Sequence, residues 1–123
     1  MRINVATLKN FINVLGIAMN GDMVITRKPN ENIIAHVTNT EKRVMITAFI
    51  ANGKQVEYDV NESVEMCINE LDFKKRYLAN FDEEFVGVVT TDDLIVLADD
   101  KLTVNVPQID YEYASRGIPG KSI

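Results

Sequence analysis

Tryptophan is absent from this chain of 123 residues, and histidine and cysteine occur once each, as His36 and Cys67. That starves most catalytic and metal-site designs, because no second His or Cys stands at ligand spacing to either residue. Cys67 cannot form an internal disulfide, so a reducing, cytosolic setting is expected. No apolar run approaches the roughly 20 residues of a membrane span. The first residues, MRINVATLKNF, show neither a signal-peptide apolar core nor an Arg/Ser-rich transit pattern, so a secreted or membrane-bound protein is not expected. The motifs G-x-x-x-x-G-K-[ST], G-x-S-x-G and H-E-x-x-H are also missing. An enzyme reading therefore has no residues to rest on, and no catalytic residue, metal site or cofactor is expected.

What is present suits a soluble globular domain: 46% hydrophobic and 25% charged residues in a length typical of one domain. The net charge of −5 is unevenly spread. Residues 1–81 hold ten Lys/Arg against nine Asp/Glu, and residues 82–123 hold three against nine. An acidic total argues against a protein that coats nucleic acid over its whole surface, but it permits a single positive face. The densest positive cluster is Lys74-Lys75-Arg76, inside NELDFKKRYLANF (69–81).

Periodicity gives the element order. RINVA (2–6) reads as a short strand leading to Thr7 as a helix cap. Leu8, Phe11, Ile12, Leu15 and Met19 then form one apolar stripe, with Lys9, Asn13 and Gly16 opposite and Asn20-Gly21 ending the helix. DMVITR (22–27), ENIIAHV (31–37), RVMITAFIA (43–51) and KQVEYDV (54–60) read as strands. The last two flank Asn52-Gly53, a strong hairpin signal. SVEMCI (63–68) alternates polar and apolar residues as a half-buried strand does. Asn69 caps the second helix, with Glu70 and Asp72 in its first turn. At 100° per residue, Leu71, Phe73, Tyr77, Leu78 and Phe81 share the apolar arc. Lys75 and Arg76 lie opposite, and Lys74 snorkels at the arc's edge. EFVGVVTT (84–91), LIVLA (94–98) and KLTVNV (101–106) complete the strands before Pro107, and residues 108–123 read as an irregular tail. Folded on itself, this order contains two tandem β-α-β-β-β units, about 2–51 and 63–106, in a single domain over 1–107. Leu8 and Leu71, and Leu15 and Leu78, keep an offset of 63 residues. An α+β fold with two adjacent helices packed on antiparallel sheets is expected.

This layout resembles one domain of a DNA sliding clamp, the ring family of the proliferating cell nuclear antigen and its archaeal and viral relatives. The resemblance runs from Arg2 to about Pro119 and rests on element order and on the spacing through ANGKQVEYDVNESVEMCINEL (51–71). IDYEYASRGIPG (109–120) also resembles the start of the linker that leaves the family's first domain. The resemblance implies a non-catalytic polymerase processivity factor that encircles duplex DNA without reading sequence. The helices would line the channel, so Lys9, Asn13, Lys74, Lys75 and Arg76 would face phosphates. It further implies docking of a polymerase or another peptide-bearing replication protein on an outer apolar pocket. By position that pocket would draw on Val37 and Val44 from the loop 37–44, and on Ile109 and Tyr111 from the linker. In one respect the chain departs from the family: clamp protomers normally hold two or three such domains. With one, a ring needs six copies closing head to tail through edge strands; the alternatives are a domain cut from a longer protein and a lone-domain relative with another job.

Each feature also has a plainer reading. The cationic cluster suits a solvated helix face. His36 suits an ordinary hydrogen-bonded strand residue, and Cys67 an ordinary thiol. Asp92-Asp93 and Asp99-Asp100 suit turn chemistry better than a two-carboxylate or magnesium site. Tyr111 and Tyr113 could anchor a partner or cover a sheet end. The alternative function is a non-catalytic protein-interaction module that keeps the clamp fold without encircling DNA.

Overall fold

The computed structural model describes residues 1–18, 21–29, 31–38, 45–51, 53, 56–57 and 62–114. Among these residues, nine strands form two antiparallel sheets. They are β1 (Arg2–Asn4), β2 (Asp22–Arg27), β3 (Ile33–Thr38), β4 (Met45–Ile50), β5 (Val56–Glu57), β6 (Val64–Asn69), β7 (Phe85–Thr90), β8 (Leu94–Ala98) and β9 (Thr103–Pro107). One sheet has the order β5-β1-β7-β8-β9 and the other β4-β3-β2-β6. Exchanging β1 with β6, β2 with β7, β3 with β8 and β4 with β9 converts one order into the other, with β5 as an added edge. Each sheet therefore takes its first strand from one half of the chain and three strands from the other. Neither half can bury its apolar face alone.

The core follows strand alternation. Ile33, Ala35 and Val37 of β3 point inward, as do Val64, Met66 and Ile68 of β6 and Ile95 and Leu97 of β8. They meet Leu8, Phe11, Ile12 and Leu15 of the first helix, α1 (Val5–Ala18), in one continuous cluster. Met19, the last residue of the expected stripe, lies outside the described residues.

Three local expectations are corrected. The cap of α1 is Asn4, not Thr7: its Oδ1 accepts from the Thr7 backbone N–H at 2.9 Å, so Val5 and Ala6 join the helix. β4 and β5 do not form a hairpin. β4 pairs with β3 in one sheet, and β5 pairs with β1 in the other. Asn52 lies outside the described residues, and Gly53 forms a bridge with Val56. The tail is structured over 108–114. Gln108 and Ile109 lie along the free edge of β6, and a helical turn, α3 (Tyr111–Ala114), packs Ala114 beside Val24 and Cys67. Residues 115–123 lie outside the described residues.

Candidate nucleic-acid interface

The second helical segment spans 70–80 and changes its winding along its length. Asn69 caps it as expected, accepting from the Asp72 N–H at 3.0 Å and donating to Asp22 Oδ1 at 3.1 Å. α2 (Glu70–Asp72) then widens into a π-helical turn, Phe73–Tyr77, and tightens into a 3₁₀ turn, Leu78–Asn80. A π turn rotates each residue by less than an α-helix does, which invalidates a wheel drawn at about 100° per residue. Phe73, Leu78 and Phe81 are fully buried. Leu71, expected on the apolar arc, is instead 43% exposed.

The winding separates the three cations. Lys74 turns toward α1: its Nζ donates to Glu70 Oε1 at 2.9 Å and to Asn13 Oδ1 at 2.8 Å. Arg76 Nε lies 3.3 Å from Asp72 Oδ1, with both side chains well exposed. Lys75 is exposed and has no ion pair among the described residues. Asn80 Nδ2 closes the segment on the carbonyls of Arg76 and Tyr77, at 2.7 and 3.1 Å. On α1, Lys9 is half-buried, while Asn10, Asn13, Val14 and Ile17 are exposed.

Lys74 and Asn13 thus join the two helices directly, 61 residues apart in sequence. The helix pair carries Lys9, Lys74, Lys75 and Arg76 against Glu70 and Asp72. Of the chain's 13 cations and 18 carboxylates, nine and sixteen remain elsewhere, so the helix pair is a positive island on an acidic protein. Sequence reasoning missed Glu70 as a buried residue, 4% exposed. The available signal was Gly16, since a lone glycine within a helical pattern often marks a close approach. A Cβ on Gly16 would stand 2.9 Å from Glu70 Oε1.

The four expected docking residues do not gather. Val37 is 1% exposed and points into the core with Ile33 and Ala35, so it offers no surface to a peptide. Val44 lies outside the described residues. Ile109 is half-buried against Val24, Cys67 and Ala114, and Tyr111 is exposed beside it. These last two line a groove of about 590 Å³ together with Glu65, Asp92, Asp93 and Asp110. Gln108 closes the seam behind the groove. Its Oε1 accepts from Cys67 N–H at 2.8 Å, and its Nε2 donates to the carbonyls of Glu65 and Thr91 at 2.9 and 2.8 Å. Burial pushes the Cys67 thiol up to about 11, with Glu65 and Asp110 adding to the shift. His36 shares a hydrogen bond with Thr47 across β3 and β4 at 2.8 Å. Asp99 Oδ1 accepts from the Lys101 and Leu102 N–H groups, which is turn chemistry.

Two antiparallel sheets with two adjacent helices give this chain the α+β fold of a DNA-clamp-like domain. The structure is similar to that of DNA polymerase III subunit beta from Borrelia burgdorferi, solved in complex with a natural product, with a TM-score of 0.72 and 13% identity. The match covers 89% of this chain and 30% of that subunit's length, and the likeness is one of fold. No family profile and no curated protein matches the sequence. Among the described residues, no helix is long and apolar enough to cross a membrane.

Proposed function

We propose that this protein is a sliding-clamp-like processivity factor: a non-catalytic clamp-like domain that assembles head to tail into a ring around duplex DNA and docks replication or repair proteins. The observation that carries this reading is the positive helix pair on an otherwise acidic chain with a clamp-like fold. A sliding surface needs contacts that are electrostatic, sequence-blind and individually weak. Lys75 and Arg76 on long stems meet that requirement, and the carboxylates beside Lys74 and Arg76 keep the grip loose. Asn13 enters mainly as the partner of Lys74. Ring closure would use β4 and β9, the edge strands at opposite ends of the two sheets. Beside β4 an apolar groove of about 580 Å³ is lined by Phe11, Val14 and Phe49, and Phe49 is 62% exposed. The same groove favours the second reading, an interaction module that binds a partner without enclosing DNA. Peptide docking falls to the seam at Ile109 and Tyr111, without Val37.

Light scattering for solution mass, with retention on closed circular against linear DNA, separates the two. The ring predicts an oligomer held on circles and lost from linear ends; a monomer indifferent to DNA topology overturns it. Lys75→Glu with Arg76→Glu should reduce loading or retention while leaving the melting temperature unchanged.

A further inference from the structure

Glu70 stands at the centre of the helix pair and has no place in a simple account of cations facing phosphates. It is 4% exposed, and its carboxylate lies against Gly16 of α1, where a side-chain Cβ would approach Oε1 to 2.9 Å. Oε1 accepts from Lys74 Nζ at 2.9 Å, and the same ammonium reaches across to Asn13. Oε2 is buried with no hydrogen-bond partner among the described residues. The backbone is fixed as well, since Glu70 N–H donates to Gly21 O at 2.9 Å. A buried carboxylate beside an ammonium holds that ammonium firmly, because removing the cation would leave an uncompensated buried charge.

We propose that Glu70 is a positioning residue that withdraws Lys74 from the DNA-facing surface and sets how many cations the helix pair offers to phosphates. This rests on the reading of that face as a DNA interface. Of three consecutive bases, one is committed inward to Glu70, one is braced by Asp72, and Lys75 has no ion pair among the described residues. Glu70→Gln keeps the shape of the side chain while removing the charge that holds Lys74, and Gly16 leaves room for it. The released ammonium then joins Lys75 at the surface.

The test has two arms. In the first, reductive methylation of the free protein is mapped by mass spectrometry. Lys74 should react more slowly than Lys75 in the unmodified sequence and reach the Lys75 rate in Glu70→Gln. Equal rates before the substitution overturn the proposal. In the second, DNA affinity is measured against salt for Lys74→Gln in both backgrounds, with melting curves confirming the fold. Lys74→Gln should leave the log–log salt slope unchanged when Glu70 is present and reduce it by about one when Glu70→Gln is present. A reduction with Glu70 in place, or none in the Glu70→Gln background, overturns the proposal. Lys75→Gln serves as the control for the interface itself. If it leaves DNA affinity unchanged, the DNA reading fails, and the claim that Glu70 governs the DNA surface falls with it. The methylation arm then still decides whether Glu70 holds Lys74.

Discussion

The helix pair and the outer seam solve the same problem, fixing a segment to the body of the domain, by opposite means. The helices are held by large apolar residues below and by a polar bridge above: Phe73, Leu78 and Phe81 are buried, and Lys74, paired with Glu70, donates across to Asn13. The seam is held largely by hydrogen bonds to backbone, through Gln108 on Cys67, Glu65 and Thr91 and through Ile109 N–H on Cys67 O at 3.0 Å. Its apolar contribution is small, Ile109 and Ala114 over Val24 and Cys67. Charge divides along the same line, with cations on the helices and Glu65, Asp92, Asp93 and Asp110 at the seam. A buried apolar face makes a segment stable, whereas a strap of edge hydrogen bonds can be released at lower cost.

Truncating each region under its own apolar contact should give the largest contrast. Leu15→Ala and Leu78→Ala, each at a fully buried position, should cost about 2–5 kcal/mol in urea unfolding. Ile109→Ala, half-buried, should cost less than half as much. Equal losses would show that the strap is part of the core. Leu15 and Leu78 share their 63-residue offset, so their losses should also be alike.

The seam's polar anchor comes next. Gln108→Ala removes three hydrogen bonds and should cost about 1–2 kcal/mol, since the strand-edge groups left behind are partly open to water. Amide exchange should accelerate at Cys67 and Ile109 and stay unchanged in α1. Uniform acceleration would erase the distinction between strap and core.

A substitution at the helix contact should change sign with its neighbour. Gly16→Ala gains about 1 kcal/mol of helix propensity. It must also displace the Glu70 carboxylate from 2.9 Å, at about 1–3 kcal/mol. The net effect should be a loss of about 1 kcal/mol in the unmodified sequence. In a Glu70→Ala background the same change should stabilise. The same sign in both backgrounds would mean that the helices are not joined through Glu70.

Much of this fold was legible because its signals are local. The bounds of β2 and β8 coincide with the apolar runs DMVITR and LIVLA, and Asn69 caps where an Asn before acids should. The stripe Leu8, Phe11, Ile12 and Leu15 is buried as its spacing requires. What was not legible depends on distant partners. Asn52-Gly53 favours a turn, but which strand pairs with β5 is decided by β1, over fifty residues away. Leu71 left the apolar arc because the chain widened into a π turn, and no residue of FKKRY announces that winding. The acids near the cationic cluster were visible, but the burial of Glu70 depends on Gly16 of the other helix.

At pH 9 the smallest effect belongs to the thiol beneath the strap. Cys67 sits 3% exposed, and burial raises it from 9.0 to about 11, with Glu65 and Asp110 adding to the shift. The folded protein therefore holds this proton more tightly than the unfolded chain does. The resulting stability is complete below pH 9 and is lost as pH rises toward 11. At pH 9 the loss should be a few tenths of a kcal/mol, and it grows by about 1 kcal/mol over each of the next two units as the folded thiol itself begins to ionise. Cys67→Ala should lack this component, so the difference between the two urea midpoints should narrow over that window. Other alkaline titrations are common to both proteins and cancel. Gln108→Ala supplies the comparison with the helix wall: a loosened strap should lower the thiol's shift and speed its alkylation at pH 8. Gly16→Ala, which disturbs only the helices, should leave alkylation unchanged. If both substitutions expose Cys67 equally, helix wall and seam are one cooperative unit, and the two means of attachment serve a single structure.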